Sequence, residues 1–349
     1  MENTPKSKRI EYIDALKGFA IFCVLWGHSL QYLKKEYDFF HNPIYEFIYS
    51  FHMPLFFMIS GFFFYSSLKL NFKDFLYKKS VQLLLPCVTW MVINYLMRFA
   101  AAIVSGNEHF LSNWMSELKP VFSPGSWPWF LRELFVGYFV VYVSLKLLKK
   151  NWLACPVSLG IVFMIPFLEI QKFLLPMFWA GIYLKENYSV VLKYAKQILI
   201  VSGVAFAVCL LFWDGNYTMY KTTFPKLLEI PALSFDFTNI DVAAFYLFIG
   251  LCGSLFWFVL FGKIFKNNKF FDYLSKIGVN TLAIYLLQRL ILENFINRTV
   301  DLAGMNEWVY NLIVTPLVSL AVLIVCMLII KVVQKNRYME FILFGKEVK

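Results

Sequence analysis

Three ionisable side chains share one stripe of an apolar segment near the start of the chain: Asp14, Lys17 and His28 in Asp14-Ala-Leu-Lys17-Gly-Phe-Ala-Ile-Phe-Cys-Val-Leu-Trp-Gly-His28. Lys17 and His28 are eleven residues apart. At ~100° per residue the second lies about 20° past three full helical turns from the first, on the same face and about 16.5 Å along the axis. Asp14 is i,i+3 to Lys17 and falls on that face too. An imidazole at the far end of such a stripe is suited to general-base work, because its ordinary pKa of ~6.5 lies near neutrality. The blander reading makes Lys17 a snorkelling cation and His28 a structural histidine bonded to a neighbouring helix.

Further polar groups interrupt other apolar runs. His52 stands in Phe51-His52-Met53-Pro54, and Ser60-Gly61 follow on the same run. At ~1.5 Å per residue His52 reaches a depth comparable to that of His28, so the two imidazoles could meet. Lys69, Lys73, Lys78 and Lys79 form the densest basic loop, with Gln82 just beyond. Such a cluster can attract phosphates or merely mark a cytoplasmic loop. A fourth run opens Trp127-Pro-Trp129-Phe-Leu-Arg132-Glu133. Arg132 and Glu133 point ~100° apart on a helix and each needs a partner elsewhere. Asn280 and Gln288 could face a bundle interior from a late helix.

These groups require elements that hold them in lipid. Of 349 residues, 60% are apolar and only 16% are charged, and the mean hydropathy is +0.62. A soluble core cannot hide that surface, which excludes a soluble enzyme, a disordered chain and a nucleic-acid-binding domain. Apolar runs fall at about 15–33, 44–66, 83–104, 128–148, 152–170, 173–185, 194–213, 242–262, 275–297 and 308–333. They predict an all-α polytopic membrane protein with about ten spanning helices, the sixth short and tilted or partly re-entrant. Residues 1–349 read as a single transmembrane domain, with no separate soluble domain and no cleavable signal peptide.

The net charge of +11 follows from retained loops. With a cytoplasmic N-terminus, alternate segments collect 23 of the 33 basic residues, at least three in each. That alternation places both termini in the cytoplasm of a multi-pass plasma (inner) membrane protein. The six cysteines are scattered in apolar stretches, with no CxxC pair. They read as small buried hydrophobes, so neither a disulfide framework nor a metal site is expected. The two long outer segments are acidic and aromatic. Segment 105–127 holds Glu108, Trp114, Glu117 and Trp127, and segment 214–241 holds Asp214, Tyr217, Tyr220, Glu229, Phe235, Asp236 and Asp241. Rings that stack on pyranose faces beside carboxylates that accept hydroxyl hydrogen bonds suit a sugar; an interfacial aromatic belt is the plainer alternative.

In this order the motifs resemble the acyltransferase 3 family of membrane-bound acyltransferases, which modify sugars and lipid-linked glycans. Ile13-Asp14-Ala-Leu-Lys17-Gly through Gly27-His28 is similar to its basic-x10-His signature. Phe51 to Phe62 resembles its second-helix motif, Trp129-Phe-Leu its fourth-helix start, and Thr281 to Leu287 its late-helix motif. The chain differs at three places: Lys17 where the family usually has Arg, Lys79-x-x-Gln82 where it has an Arg pair, and Gln288 where the late motif often ends in His. Lysine lacks arginine's bidentate fork.

The resemblance implies an acyl-CoA co-substrate, commonly acetyl-CoA, used from the cytoplasm, with no bound cofactor and no metal. It implies as acceptor a hydroxyl of a sugar, polysaccharide or lipid-linked glycan, and membrane lipid as surroundings. It assigns His28, Lys17 and Asp14 as the catalytic set, with His28 as the base. Lys17, Lys78, Lys79 and Gln82 would hold acyl-CoA, and His52, Trp129, Arg132, Glu133 and Gln288 would bind substrate or support the site. The alternative is a transporter or flippase for glycans or acylated lipids, which would call for repeated halves that the sequence does not show. No feature of the sequence encodes an oligomeric state.

Overall fold

The computed structural model describes residues 10–35, 37–122, 126, 128–165, 168–218, 226–229, 234–265 and 268–347. In chain order the principal elements are α1 (Glu11–Tyr32), α2 (Pro43–Phe62), α3 (Phe72–Lys79) and, after a π-turn at Ser80–Leu84, α4 (Leu85–Ser105). Next come α5 (Trp129–Leu148), α6 (Asn151–Met164), α7 (Glu169–Glu186) and α8 (Ala195–Leu210). Two short strands, β1 (Lys226–Glu229) and β2 (Ser234–Asp236), precede α9 (Ile240–Ile264), α10 (Lys269–Val279), α11 (Thr281–Arg289), α12 (Thr315–Val333) and α13 (Arg337–Phe344).

The expected helical architecture is present, and a helix stands at each apolar run. Among the described residues, five helical stretches are long and apolar enough to cross a membrane: Glu11–Tyr32, Pro43–Leu68, Phe72–Ser105, Ile240–Ile264 and Glu307–Val333. The expectation of about ten crossings is met only to that extent. The helices α6 and α8 have 14 and 16 residues, about 21 and 24 Å at ~1.5 Å per residue, against a hydrocarbon core of about 30 Å. Three details depart from expectation. The sixth run is not short: it lies in a helix of 18 residues, α7, with Pro176 inside it. The run at 275–297 is broken at Asn280 (φ −105°, ψ 13°) into α10 and α11, followed by a π-turn at Leu290–Ile296. Within the outer segment 214–241, β1 and β2 pair antiparallel, a small exception to an all-α chain.

The chain divides into two compact units. The first comprises Met1–Ile59, Asn187–Thr218 and Phe248–Met327. Its centre is the crossing of α1 and α10, where the backbones touch. A Cβ on Gly18 would lie 2.1 Å from the Leu274 carbonyl oxygen, and one on Gly278 would lie 1.7 Å from that of Asp14. Only glycine allows this approach, which is the small-residue packing that helices use where lipid provides no hydrophobic drive. Two hydrogen bonds join α1 to α12: Trp26 Nε1 donates to Thr315 Oγ1 at 2.9 Å, and Ser319 Oγ lies 2.8 Å from Ser29 Oγ.

The second unit comprises Ser60–Glu186, Met219–Leu247 and Leu328–Lys349. Gly61 gives its backbone contact, since a Cβ there would lie 1.9 Å from the Phe178 carbonyl oxygen. The start of α3 is fixed by Asn71, which accepts from Asp74 N at 2.9 Å. The Tyr142 ring stacks on Phe75 at 3.8 Å, and its hydroxyl donates to Leu70 O at 2.8 Å. The π-turn after α3 follows from Pro86, which has no N–H to offer the Gln82 carbonyl. The Leu85 amide bonds Ser80 O, widening the turn by one residue.

Candidate active site

In the first unit the polar stripe of α1 exists, with partners at both ends. Lys17 Nζ pairs with Asp14 Oδ1 at 2.6 Å, and Asp14 is buried at the point where Gly278 meets its carbonyl. The pair carries no net charge. At the other end His28 is half-buried, and α11 brings Gln288 to it. Gln288 is fully buried, and its amide presents both atoms to His28 Nδ1: Oε1 at 3.1 Å and Nε2 at 2.9 Å. A protonated Nδ1 can donate to Oε1; an unprotonated Nδ1 can accept from Nε2. Either neutral tautomer of the imidazole is therefore matched without moving the backbone.

The break at Asn280 positions this contact. Its side chain bonds the Lys276 carbonyl at 2.9 Å, closing α10, and α11 restarts at Thr281. Beyond Gln288, Arg289 pairs with the carboxylate of Glu293, whose other neighbour is the Tyr32 hydroxyl at 3.4 Å. The Tyr32 ring meets the His28 ring edge-on at 5.9 Å. Arg289, Glu293 and Tyr32 were not singled out in the sequence; the i,i+4 spacing of Arg289 and Glu293 is the signal that points to them.

His52 is buried, and its Nδ1–H donates to Ile48 O at 2.8 Å, one turn back on α2. That bond fixes its tautomer and leaves Nε2 as an acceptor. The Tyr49 ring lies 4.6 Å from it, and Gly27 makes room for Tyr49, since a Cβ there would come within 2.8 Å of that ring.

The second unit holds the other expected residues. Lys79 is buried while Lys78 is half-buried. The Lys79 ammonium sits 3.6 Å from the centroid of the Tyr138 ring and 3.4 Å from Gln82 Oε1, and among the described residues no carboxylate pairs with it. A buried cation with one long hydrogen bond and one ring face is under-satisfied, so an anion would complete it. Trp129 is the first residue of α5, half-buried and against Phe130. Arg132 donates to Ser126 O at 2.7 Å rather than to Glu133, as their ~100° separation on a helix requires. Glu133 accepts through its backbone carbonyl from the Gln171 amide, and its Oε2 is buried with no hydrogen-bond partner among the described residues. Gln171 and Lys172 are both buried, Lys172 pairing with Glu169 at 2.7 Å. These two were missed because they open an apolar run, where a polar residue reads as a helix end.

The outer segments are partly described. Trp127 and Tyr220, and the side chains of Glu229, Phe235 and Asp236, lie outside the described residues. Glu117 pairs with Arg98 at 2.9 Å, and Tyr95 donates to Trp114 O at 2.9 Å, so this part of the loop is tied to α4. Outside the membrane, His41 bonds Asp38 Oδ2 at 2.6 Å and faces Asp214 at 3.7 Å. The Asp38 carboxylate, by hydrogen bond and charge, holds the His41 pKa above its ordinary value. Among the described residues no cluster of His, Cys, Asp or Glu could hold a metal ion.

The family described as acyltransferase domain (acyltransferase 3) matches residues 10–331, which contain both groups of polar residues. The chain is similar to nodulation protein NolL of Sinorhizobium fredii, 26% identical over 221 residues, covering 60% of this chain and 58% of that protein. It is also similar to nodulation protein NolL of Mesorhizobium japonicum, 23% identical over 355 residues, covering 95% of this chain and 89% of the relative. No solved structure gives a significant match. With a match over nearly the whole helical region, the chain belongs to the acyltransferase 3 family, enzymes that transfer acyl groups other than aminoacyl groups.

Proposed function

We propose that this enzyme moves an acyl group, most simply acetyl, from acyl-CoA to a hydroxyl of a sugar, polysaccharide or lipid-linked glycan. The observation that carries the reading is the His28–Gln288 pair at the end of the α1 stripe, in a chain of the acyltransferase family. In this reading His28 Nε2 removes the acceptor's hydroxyl proton as the oxygen attacks the thioester carbonyl. Gln288 Oε1 accepts from Nδ1–H and steadies the imidazolium. Collapse of the tetrahedral intermediate breaks the C–S bond, and the proton passes from His28 to the CoA thiolate, leaving an ester and free CoA. Lipid-surrounded walls keep out the water that would hydrolyse the thioester. His52, tied to its own helix, supports the ring packing around Tyr49.

The donor's phosphates go to the basic turn, with Lys79 and Gln82 central and Lys78 beside them. Trp129, Arg132 and Glu133 serve the acceptor side, where Glu133 supplies a buried acceptor oxygen suited to a hydroxyl donor. Aromatic and acidic outer segments favour a glycan. Both termini lie in the cytoplasm of the plasma membrane, supported by the 23 of 33 basic residues that fall on that side.

The test is transfer of label from radiolabelled acetyl-CoA, by purified protein in lipid nanodiscs, to a glycan extract of cells lacking the protein. Ester-linked label on glycan is expected. Transport of glycan with no label transferred would overturn the reading.

A further inference from the structure

The π-turn that carries Lys79 and Gln82 is held from outside its own helix. Pro86 leaves the Gln82 carbonyl without an α-helical donor, and in the widened register it also fails to supply the Val81 carbonyl. The backbone of Gly345 closes on these two carbonyls. A Cβ on Gly345 would lie 2.4 Å from Val81 O and 2.8 Å from Gln82 O. Gly345 adopts the left-handed conformation (φ +65°) that ends α13, and its amide bonds Phe341 O at 2.9 Å. Two residues earlier, Leu343 O accepts from Trp90 Nε1 at 2.7 Å; Trp90 lies on α4, the helix that follows the turn, and is buried. Phe344 between them is buried as well. The segment Leu343–Gly345 is thus wedged against the turn and pinned to the next helix.

We propose that Leu343–Gly345 is a positioning element for the donor: by seating on the Val81 and Gln82 carbonyls, it fixes the π-turn that presents Lys79 and Gln82 to the phosphates of acyl-CoA. The inference rests on the reading of Lys79 as a donor-phosphate cation. A π-turn is a costly conformation that relaxes unless something over-determines it. Here Pro86 denies it the ordinary helical register, and the Gly345 backbone lies against the Val81 and Gln82 carbonyls. Pushed off its seat, the turn would move the Lys79 ammonium from the Tyr138 ring and Gln82, where its charge is concentrated on one point. Gly345 and Trp90 are positioning residues and touch no substrate in this account.

The test is equilibrium binding of radiolabelled acetyl-CoA to the full-length protein in nanodiscs, with the unfolding midpoint measured for every variant. Asparagine tolerates the left-handed conformation, so Gly345→Asn adds the steric contact with little backbone strain. Gly106→Asn is the control: Gly106 has the same conformation (φ +66°) and nothing within 4 Å of a Cβ. Gly345→Asn is expected to weaken binding about tenfold with a lowered unfolding midpoint, and Trp90→Phe by a smaller factor of about three with its midpoint near that of the parent, both read at a temperature where every variant is folded, while Gly106→Asn binds as the parent does. Should Gly345→Asn fail to insert, Trp90→Phe decides in its place. Lys79→Ala runs in parallel. Weak binding by Lys79→Ala with normal binding by Gly345→Asn and Trp90→Phe overturns the positioning role and leaves the donor reading standing. Normal binding by Lys79→Ala overturns the donor reading and this inference with it.

Discussion

Gln288 turns both atoms of its side-chain amide toward one nitrogen of His28, Oε1 at 3.1 Å and Nε2 at 2.9 Å from Nδ1. The partner of the proposed base is therefore neutral and reversible, able to accept from Nδ1–H or donate to a bare Nδ1. Gln288→Leu keeps the volume and removes both options. It should lower transfer about tenfold, the worth of one hydrogen bond of ~1.4 kcal/mol felt at the base. Gln288→His restores a polar partner and should recover most of the rate. Label transfer from acetyl-CoA at matched expression checks both.

The α1–α10 crossing should be intolerant of any added side-chain atom. Gly278→Ala places a methyl 1.7 Å from Asp14 O, and Gly18→Ala one 2.1 Å from Leu274 O. Each should destabilise the fold by about 1–3 kcal/mol or more, as overpacked cores do. Gly160→Ala meets nothing within 4 Å on α6 and should be neutral or slightly stabilising. Thermal unfolding in detergent separates the three.

Lys79 and Lys78 should differ although they are adjacent. Lys79 is buried against Tyr138 and Lys78 is half-buried. Lys79→Ala should raise the apparent Kd for acetyl-CoA by about tenfold or more, with weak salt dependence. Lys78→Ala should cost about threefold and lose its effect in high salt, where exposed charges are screened. Equal effects at all salt concentrations would count against a buried donor cation.

In the segment between α1 and α2, the Asp38 carboxylate raises the His41 pKa, with Asp214 and Glu46 adding in the same direction. A raised folded-state pKa means that the contact contributes stability fully below the unfolded value of ~6.5 and loses it as pH rises through the folded value. The His41 ring resonances should titrate with a midpoint above ~6.5, and Asp38→Asn should bring that midpoint down. Asp301 has the opposite sign. The Lys35 and Ala303 amides that it accepts from hold its pKa low, so its contribution is present above the ordinary carboxylate range and lost on acidification.

The helical plan and the α1 stripe were legible because both depend on local spacing. Asp14, Lys17 and His28 needed only the helical repeat, and the i,i+3 pair of Asp14 and Lys17 formed as that repeat requires. The meeting of His28 with Gln288 was not legible. It depends on a helix break at Asn280 and on two glycines that bring backbones into contact, and neither has a hydropathy signature. The same holds for the π-turn: Pro86 is visible, but the segment packed against the turn lies some 260 residues away in sequence. Buried Gln171 and Lys172 were hidden by position, since a polar residue at the head of an apolar run reads as a boundary. The number of crossings was less legible, because apolar runs mark helices without fixing their length, as α6 and α8 show.

The central claim is that His28 moves the proton. The most direct measurement is acyl transfer by His28→Gln in nanodiscs, at matched protein level and matched acetyl-CoA binding. Glutamine keeps a hydrogen-bonding side chain of similar reach and cannot take a proton at neutral pH. The account predicts a fall of about 10²–10⁴-fold in transfer, nearly as deep as for His28→Ala, with His52→Ala losing less. Transfer by His28→Gln within about threefold of the parent enzyme would contradict the assignment and move the base to another buried group, Glu133 or His52.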